Sequence, residues 1–512
     1  MEGGSLVRAI GFALAAALVP LSQAHGHASS KSDTAGTLTT HARGANGDSA
    51  SKRTRDTAKA SSDTHKAKPP SFLARLAAAY AADYGPADTT SSPPARRLPP
   101  APLDAPPFPN EDWTYGGSPD IGAENPSPPP LTQALYSGAN GKAWQATGIQ
   151  IYGWVNGGFN LSTSHASNAP AAYYARPNGG ELDQIALYIE RDPNTVQTDH
   201  VDWGFRLTNL YGENFRYTIT KGIFSHQLLV SNNYMGYDPV MAYFDLYVPK
   251  VAQGMNIRVG RYISLPDIEA QLAPNNYTYS HSLLYSYDAY TQTGINTTTM
   301  FNFNWMLQVG ISAGNDVAPW QPHDAKPTLN TCLRWTSTSG NDNLYPCLNS
   351  LNDGKYAYNN VQSIYNTWYH KFNATWHTDT EWWYMWEKDV PNVLNPAAAH
   401  LLETNANGAM CDSPKQLTCF APEWAVVNYL EKELSRRDYI SIRNEYFDDI
   451  KGQRTGFKTR YTEHLLGWGH WIGTTITIRP ELRFERSYDM PAYDLGRKSN
   501  QFIFASDIII KY

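Results

Sequence analysis

The chain has 512 residues, of which 41% are hydrophobic and 13% aromatic, and its formal net charge at pH 7 is −6. This slightly acidic balance gives no reason to expect nucleic acid as a partner, and a mean hydropathy of −0.48 excludes a bundle of membrane-spanning helices. The high aromatic content fits either the interfacial girdles of a membrane barrel or a secreted β protein that stacks sugar rings.

The first 24 residues have the features of a secretory signal peptide. Arg8 supplies a positive charge, residues 9–19 form a short apolar core, and Ser22-Gln23-Ala24 offers small residues before a cleavage point. The apolar run is too short to cross a bilayer as a helix. We therefore predict that the chain is exported through the inner membrane and the peptide removed.

Residues 25–148 lack an alternating strand pattern and are rich in Pro, Ala and Ser. Such a segment buries too little apolar surface to offset the entropy lost on ordering. We expect a disordered periplasmic extension, interrupted by a short Ala-rich helix over residues 72–84.

Residues 149–512 contain many short segments in which apolar and polar side chains alternate. A period of two is the pattern of a β-strand. In the stretch TITIRPELRFER, residues 475–486, one face is apolar and the other carries Arg479, Glu481, Arg483 and Glu485. That combination suits a strand with lipid on one side and water on the other.

The connections between the predicted strands alternate between long and short. An up-and-down membrane barrel has short periplasmic turns and long outer loops. We therefore expect an all-β fold over residues 149–512, a transmembrane antiparallel up-and-down β-barrel of about 14 strands, with 12 to 16 possible. The predicted strands are 149–162, 182–192, 201–211, 241–250, 254–264, 291–302, 305–313, 364–378, 381–389, 424–434, 437–447, 459–472, 475–487 and 501–512.

Four cysteines form two close pairs, Cys332 with Cys347 and Cys411 with Cys419. In an exported chain this spacing predicts two local disulfides, with free thiols or a zinc site as the weaker alternatives. Both pairs fall in stretches predicted to be outer loops, 314–363 and 390–423.

Several runs resemble one known family. These are VDWGFRLTNLYG at 201–212, Tyr237-Asp238 with residues 241–249, MNIRVGRYISLPDIE at 255–269, and Thr293-Gly294, which are similar to the β-barrel porin-2, OmpL-like family of outer-membrane porins. The resemblance covers residues 149–512. It implies a barrel of unassigned solute specificity, with no catalytic residues to transfer.

Charged side chains on the polar strand faces are candidates for pore lining. Opposed charges across a water-filled pore would create a transverse field that favours polar solutes. The alternative is that these ions pair with one another and only fill the interior. The candidates are Glu190, Asp202, Arg206, Asp245, Arg258, Arg443, Glu445, Arg479, Glu481, Arg483 and Glu485.

The long connection 265–290 is rich in Tyr and Asn. We hypothesise that it folds into the barrel and constricts it. Its candidate constriction residues are Asp267, Glu269, Asn275, Asn276 and Tyr277.

The function that these patterns favour is an outer-membrane porin through which small hydrophilic solutes diffuse passively. It requires no cofactor, no metal and no enzymatic activity. The expected partners are outer-membrane lipid and lipopolysaccharide, the barrel-assembly machinery and small polar solutes, without nucleic acid; a homo-oligomer is possible. Residues 149–512 contain 28 basic and 35 acidic residues, so we expect a weak cation preference at most.

Three other function classes stay open from the sequence. The first is a non-conducting structural or binding barrel. The second is a barrel lipid hydrolase built on the triad fragments Ser280, His281 and Asp288, for which chance proximity in a loop is the competing explanation. The third is a soluble secreted carbohydrate-binding protein with Trp382, Trp383 and Trp386 as sugar platforms, although an interfacial girdle explains these tryptophans equally well.

Overall fold

The computed structural model describes residues 70–84, 121–122, 128–171, 173–263, 267–373, 375–435 and 437–512. The predicted signal peptide and most of the predicted extension lie outside the described residues. Pro70–Tyr512 forms one compact unit. In the described part of the chain, no helix combines the length and the apolar character needed to cross a membrane.

Sixteen antiparallel strands close into one barrel, each paired with its neighbours in chain order and the last with the first. Closure leaves no unpaired sheet edge, which is the condition for a sheet in hydrocarbon. The strands are β1 Gln150–Ser162, β2 Gly179–Arg191, β3 Asp202–Gly212, β4 Gly236–Val248, β5 Met255–Ile263, β6 Thr291–Met300, β7 Trp305–Asn315, β8 Thr328–Thr336, β9 Asp342–Leu351, β10 Gln362–Asn373, β11 Trp376–Pro391, β12 Thr418–Ser435, β13 Asp438–Asp449, β14 Thr459–Ile472, β15 Ile476–Ser487 and β16 Asn500–Lys511.

The fold class is the predicted one, and the strand number is corrected from about 14 to sixteen. Each predicted strand overlaps an observed strand, but β8 and β9 lie in the stretch 314–363 that was predicted to be a single outer loop. Pro346 stands inside β9, where it provides no ladder N–H. The Ser, Gly and Asn residues of 337–343 are typical of an open loop, but they lie in and beside the hairpin connection between β8 and β9.

The predicted alternation of connections is confirmed. Short connections such as 301–304 and 473–475 occupy one end of the barrel, and long ones such as 213–235 and 392–417 occupy the other. In barrels of this kind the short turns are periplasmic and the long loops are outside.

The two faces of the strands differ as the alternating pattern predicts. Leu482 and Phe484 are 42% and 40% exposed on the outer face of β15, whereas Arg483 and Glu485 between and beside them are fully buried. Large apolar side chains are exposed on the outer faces of many strands, among them Trp203, Phe244, Val259, Ile311, Trp382, Leu466, Phe502 and Ile508. This outward band is the surface that lipid covers.

In the described residues, three helices precede the barrel: α1 Phe72–Asp83, α2 Pro130–Tyr136 and α3 Gly141–Thr147. The predicted helix over 72–84 is therefore confirmed, and α2 and α3 are additional. The carboxylate of Asp83 accepts hydrogen bonds from the backbone N–H and the hydroxyl of Thr474, at 2.9 and 2.7 Å. The Tyr80 hydroxyl donates to the carbonyl oxygen of Lys511 at 2.7 Å. Helix α1 thus contacts the short-turn end of the barrel.

Both predicted disulfides are present. Cys332 and Cys347 occupy paired positions on β8 and β9, with their Cα atoms 4.1 Å apart. This corrects their predicted location, because the bond lies in the barrel wall, with both side chains buried, and not in an outer loop. Cys411 lies in the outer loop 392–417 and is joined to Cys419 at the start of β12.

Candidate functional site

The connection between β5 and β6 runs through the barrel interior. We call its described residues, 267–290, the inner segment. All of them are buried except Pro274, Asn275, Ser286 and Tyr287. A loop that lay over the outer mouth would be largely exposed, so this burial requires partners on the strands around it.

Inward carboxylates from three strands hold the backbone of the inner segment. Glu381 on β11 accepts the N–H of Ile268 at 2.9 Å. Glu445 on β13 accepts the N–H of Leu283 at 2.9 Å, and Glu481 on β15 accepts the N–H of Tyr279 at 3.0 Å. Carboxyl oxygens accept hydrogen bonds from backbone N–H groups, so these three contacts fix the path of the segment.

Arginines contact the same segment through its carbonyl oxygens. Arg443 donates to the carbonyl of Ser280 at 2.6 Å, and Arg483 donates to that of His281 at 2.9 Å. Arg479 donates to the carbonyls of Ala273 and Asn276, both at 2.8 Å. Three of the arginines selected from the sequence therefore position the inner segment.

Inward arginines also form ion pairs with acids, most of them on neighbouring strands. The guanidinium of Arg258 lies 2.8 Å from Asp245, and that of Arg206 lies 2.6 Å from Glu190. Other inward pairs are Arg443 with Glu463, Arg479 with Asp507, and Arg483 with both Glu463 and Glu485. Asp202 pairs with Arg191, which has outward parity on β2. The predicted pore-lining side chains thus point inward and are joined mainly to their neighbours rather than facing opposite charges across an open lumen.

The predicted constriction residues all lie in the inner segment. Glu269 accepts the hydroxyl of Tyr429 at 2.6 Å and lies 3.2 Å from Arg443. Asn276 accepts the N–H of Ala270 at 2.8 Å and so closes a tight turn, and the hydroxyl of Tyr277 lies 3.1 Å from Nε2 of His377.

The other two predicted constriction residues differ in exposure. Asp267 is buried at the start of the segment, and Asn275 is half-buried in a 3-10 turn, Ala273–Asn275.

Several inward charged residues were not selected from the sequence, among them Glu463, Asp507, Arg261 and the acids of β11 and β12. Glu463 and Asp507 are ion-pair partners of the predicted arginines, and Arg261 pairs with Asp238 at 2.8 Å. Alternation along β16 could have identified Asp507. Ile508 and Ile510 belong to the outward series, so Asp507 belongs to the inward one. Strict alternation along β5 would place Arg261 outward, but it lies inward because Gly260 adopts φ +139°. Residues with a Cβ rarely adopt this backbone conformation.

A polar cavity of about 200 Å³ opens above the inner segment among the outer loops. We call it the vestibule. Its walls include Arg216, Asp316, Glu387 and Arg454, and Asp288 of the inner segment contributes to the lining. A solute from outside would meet this charged surface first.

The triad fragments do not assemble into a catalytic site. The Ser280 hydroxyl accepts a hydrogen bond from Arg443 at 3.0 Å, and Nε2 of His281 lies 2.8 Å from the carbonyl of Ala270. The carboxylate of Asp288 accepts from the hydroxyl of Tyr365. Each of the three side chains therefore has a different partner, as expected for chance proximity in a loop.

The tryptophans of β11 divide between the two faces of the wall. Trp382 is 42% exposed on the outer face, whereas Trp383 is fully buried and donates to the carbonyl of Leu284 at 3.2 Å. Trp386 shares the outward parity of Trp382. This arrangement fits an interfacial girdle on the outside and packing against the inner segment on the inside.

A closed antiparallel barrel with an apolar outer band, a charged interior and an inward-folded connection defines a transmembrane β-barrel of the porin class. Residues 148–512 match the family model described as "Putative beta-barrel porin-2, OmpL-like". The chain belongs to this family and is an outer-membrane porin. Porins are channels and not enzymes.

Several solved structures are similar to this chain. The anion-selective porin from Comamonas acidovorans is 8% identical, covering 71% of this chain and 99% of its own, with a TM-score of 0.47. The outer membrane channel DcaP of Acinetobacter baumannii is 9% identical, covering 71% and 97%, with a TM-score of 0.45. OprB of Pseudomonas putida is 11% identical, covering 73% and 96%, with a TM-score of 0.40.

A search of curated proteins finds no sequence match to this chain. Likeness to solved structures at these levels transfers no selectivity or oligomeric state, so the family assignment rests on the sequence match over residues 148–512.

Proposed function

We propose that the barrel allows small hydrophilic solutes to diffuse passively across the outer membrane, along a path narrowed by the inner segment. One observation carries this proposal. The backbone of the inner segment bonds to inward side chains of β11, β13 and β15, namely Glu381, Glu445 and Glu481. A segment fixed in this way reduces the cross-section of the barrel interior but does not close it as a separate plug domain would.

The interior surface suits polar solutes. Many of its charged residues form ion pairs and many of its tyrosine hydroxyls form hydrogen bonds, as at Glu269 with Tyr429. A passing solute can exchange its hydration shell for such groups at little cost, whereas an apolar solute cannot. We therefore propose that pore width and interior charge set the selectivity, without a catalytic step.

The charge balance supports a weak cation preference. The inward faces of β11 and β12 carry Asp379, Glu381, Glu387, Glu423 and Glu431, and no Lys or Arg shares those faces in the described residues. The inward arginines lie on other strands and are used in ion pairs with other acids. We call these five residues the acidic wall, and those of its carboxylates that are ionised add a negative field at the side of the path.

The second candidate function is a non-conducting structural or binding barrel. The observation that favours it is the extensive burial of the inner segment, because a fully packed interior leaves no continuous aqueous path. Purified full-length protein in a planar lipid bilayer separates the two. Discrete conductance steps in KCl support the porin pathway, and their absence, for protein shown to be folded by heat-modifiable gel mobility, supports the second candidate.

The remaining partners follow from membrane insertion. We propose contact of the exposed apolar band with outer-membrane lipid and lipopolysaccharide, delivery by a cleaved signal peptide, and insertion by the barrel-assembly machinery. A homo-oligomer is compatible with this arrangement. Native mass measurement of detergent-extracted protein tests the oligomer.

A further inference from the structure

Three buried carboxylates converge where the two ends of the inner segment approach β11. Asp267 comes from the start of the segment, Asp288 from its end, and Glu381 from the strand. Each offers an oxygen that lies within 4.8 Å of the oxygens of the other two. Their exposed fractions are 5%, 3% and 0%, respectively.

Each carboxylate keeps one oxygen without a donor from outside the group, and Asp267 lies within hydrogen-bonding reach of both Glu381 and Asp288. Oε2 of Glu381 accepts the N–H of Ile268, but Oε1 has no partner among the described residues. One oxygen of Asp288 accepts from Tyr365 and from the N–H of Ala289, and its Oδ2 has no partner. Oδ1 of Asp267 likewise has none. Buried polar atoms without partners are uncommon and call for an explanation.

The nearby basic side chain does not neutralise this group. Arg454 donates to the carbonyl oxygens of Tyr287 and Asp288, at 2.8 and 3.4 Å, and to the side chain of Asn359 at 2.9 Å. Its nitrogens are thus directed to other acceptors, and no ion pair joins a Lys or Arg to any of the three carboxylates in the described part of the chain. Glu269, a fourth acid near Glu381, is itself paired with Arg443.

Burial and mutual repulsion make three adjacent carboxylates unfavourable without a counter-charge. Either protons or a metal ion must therefore accompany the group when the protein is folded.

We propose that Asp267, Asp288 and Glu381 bind a divalent cation, and that Ca²⁺ is the ion they suit. All three ligands are carboxylate oxygens, which hard cations prefer, and Ca²⁺ tolerates the irregular geometry that chain segments of different origin provide. Asp288 also lines the vestibule, so an ion and its waters can arrive from the outer side.

A bound ion would join both ends of the inner segment to the barrel wall. Asp267 and Asp288 are separated by the whole segment in sequence, while Glu381 belongs to β11. One ion would therefore hold the segment across the interior at the point where it leaves and rejoins the wall. This proposal rests on the positions of the three carboxylates in the barrel and does not require that the barrel conduct ions.

Terbium(III) luminescence tests the site on the full-length protein in detergent. Terbium replaces Ca²⁺ at oxygen sites and is excited through a nearby tyrosine, here Tyr365. We expect a saturable signal that Ca²⁺ displaces with a dissociation constant on the order of 10⁻⁴ to 10⁻³ M. Glu381→Gln keeps an oxygen to accept the N–H of Ile268, and it should weaken Ca²⁺ binding at least about tenfold.

Asp379→Asn is the matched control, because Asp379 is a buried carboxylate on the same face of β11, two residues from Glu381. It should leave Ca²⁺ affinity within about twofold. Asp267→Asn provides a second variant if Glu381→Gln does not fold. The absence of a saturable signal from the wild type, or equal Ca²⁺ displacement curves for wild type and folded Glu381→Gln or Asp267→Asn, would overturn the site and leave proton sharing as the explanation. A protein that shows no conductance could still bind Ca²⁺ in this experiment. The result for the cation site is therefore independent of the result for the proposed diffusion pathway.

Discussion

The ring of Tyr279 lies directly over Gly158, on the inner face of β1. A Cβ added to Gly158 would come within 2.5 Å of Cζ of that ring. Because Gly158 has no side chain, β1 leaves room here for the inner segment. Tyr279 of that segment is fixed by the hydrogen bond from its backbone N–H to Glu481, at 3.0 Å.

This contact predicts the effect of filling the space. Gly158→Val should lower the free energy of unfolding by about 1–3 kcal/mol, because overpacking forces neighbouring groups to move. Urea unfolding in lipid vesicles measures it. Gly179→Ala, at a position where an added Cβ meets nothing within 4 Å, should change stability little. Equal stability of Gly158→Val and wild type would contradict the close packing.

Deleting residues 275–280 should raise the single-channel conductance. The deleted residues include Asn276 and Tyr277 of the predicted constriction and Tyr279, so the cross-section of the path should grow. Planar-bilayer recording gives the measurement. A six-residue deletion of 320–325 from the outer loop between β7 and β8, in which Trp320, Pro322 and His323 are exposed, provides a control that should leave conductance close to wild type. A conductance that the inner deletion leaves unchanged would argue against constriction.

Removing charge from the acidic wall should weaken cation preference. Neither carboxylate oxygen of Asp379 has a hydrogen-bond partner among the described residues, and one oxygen of Glu431 also lacks one. The double variant Asp379→Asn, Glu431→Gln should therefore shift the reversal potential in a KCl gradient towards anion permeation.

The matched control for this selectivity measurement is Asp199→Asn. Its carboxylate is 81% exposed in the connection between β2 and β3, where solvent and salt screen it. We expect no measurable shift in reversal potential. Firm anion selectivity of the wild-type protein would refute the charge argument from the start.

The wall disulfide should contribute more to stability than the loop disulfide. Cys332 and Cys347 close 15 residues, and their replacement by Ser should cost about 3 kcal/mol in the chain-entropy model. Cys411 and Cys419 close only 8 residues, so the same replacement there should cost less. Urea midpoints of the two double-serine variants test the order, and a larger loss for the second variant would show that the loop bond matters more than chain entropy allows.

Strand faces could be predicted from sequence where one face was uniformly apolar. In β15, Leu482 and Phe484 are outside and Arg483 and Glu485 inside, as alternation requires. The sequence did not assign faces to β11 and β14, because their inner faces carry apolar residues as well. Trp383 and Leu465 are both buried inside, since the inner segment gives them something to pack against.

The pairing of cysteines could also be predicted, but not their place in the fold. Proximity in sequence was enough to join Cys332 to Cys347. Their position in the wall depended on β8 and β9, whose Pro346 and flanking Ser, Gly and Asn residues resemble a loop when read alone.

By itself the sequence determined the barrel, the direction of most side chains and the two disulfide pairs, because a period of two and a short cysteine spacing are local properties of the chain. Only the tertiary structure decided that there are sixteen strands, that the inner segment crosses the interior, and that Asp267 and Asp288 meet Glu381. Those contacts join residues about a hundred positions apart, and closure of the sheet brings them together.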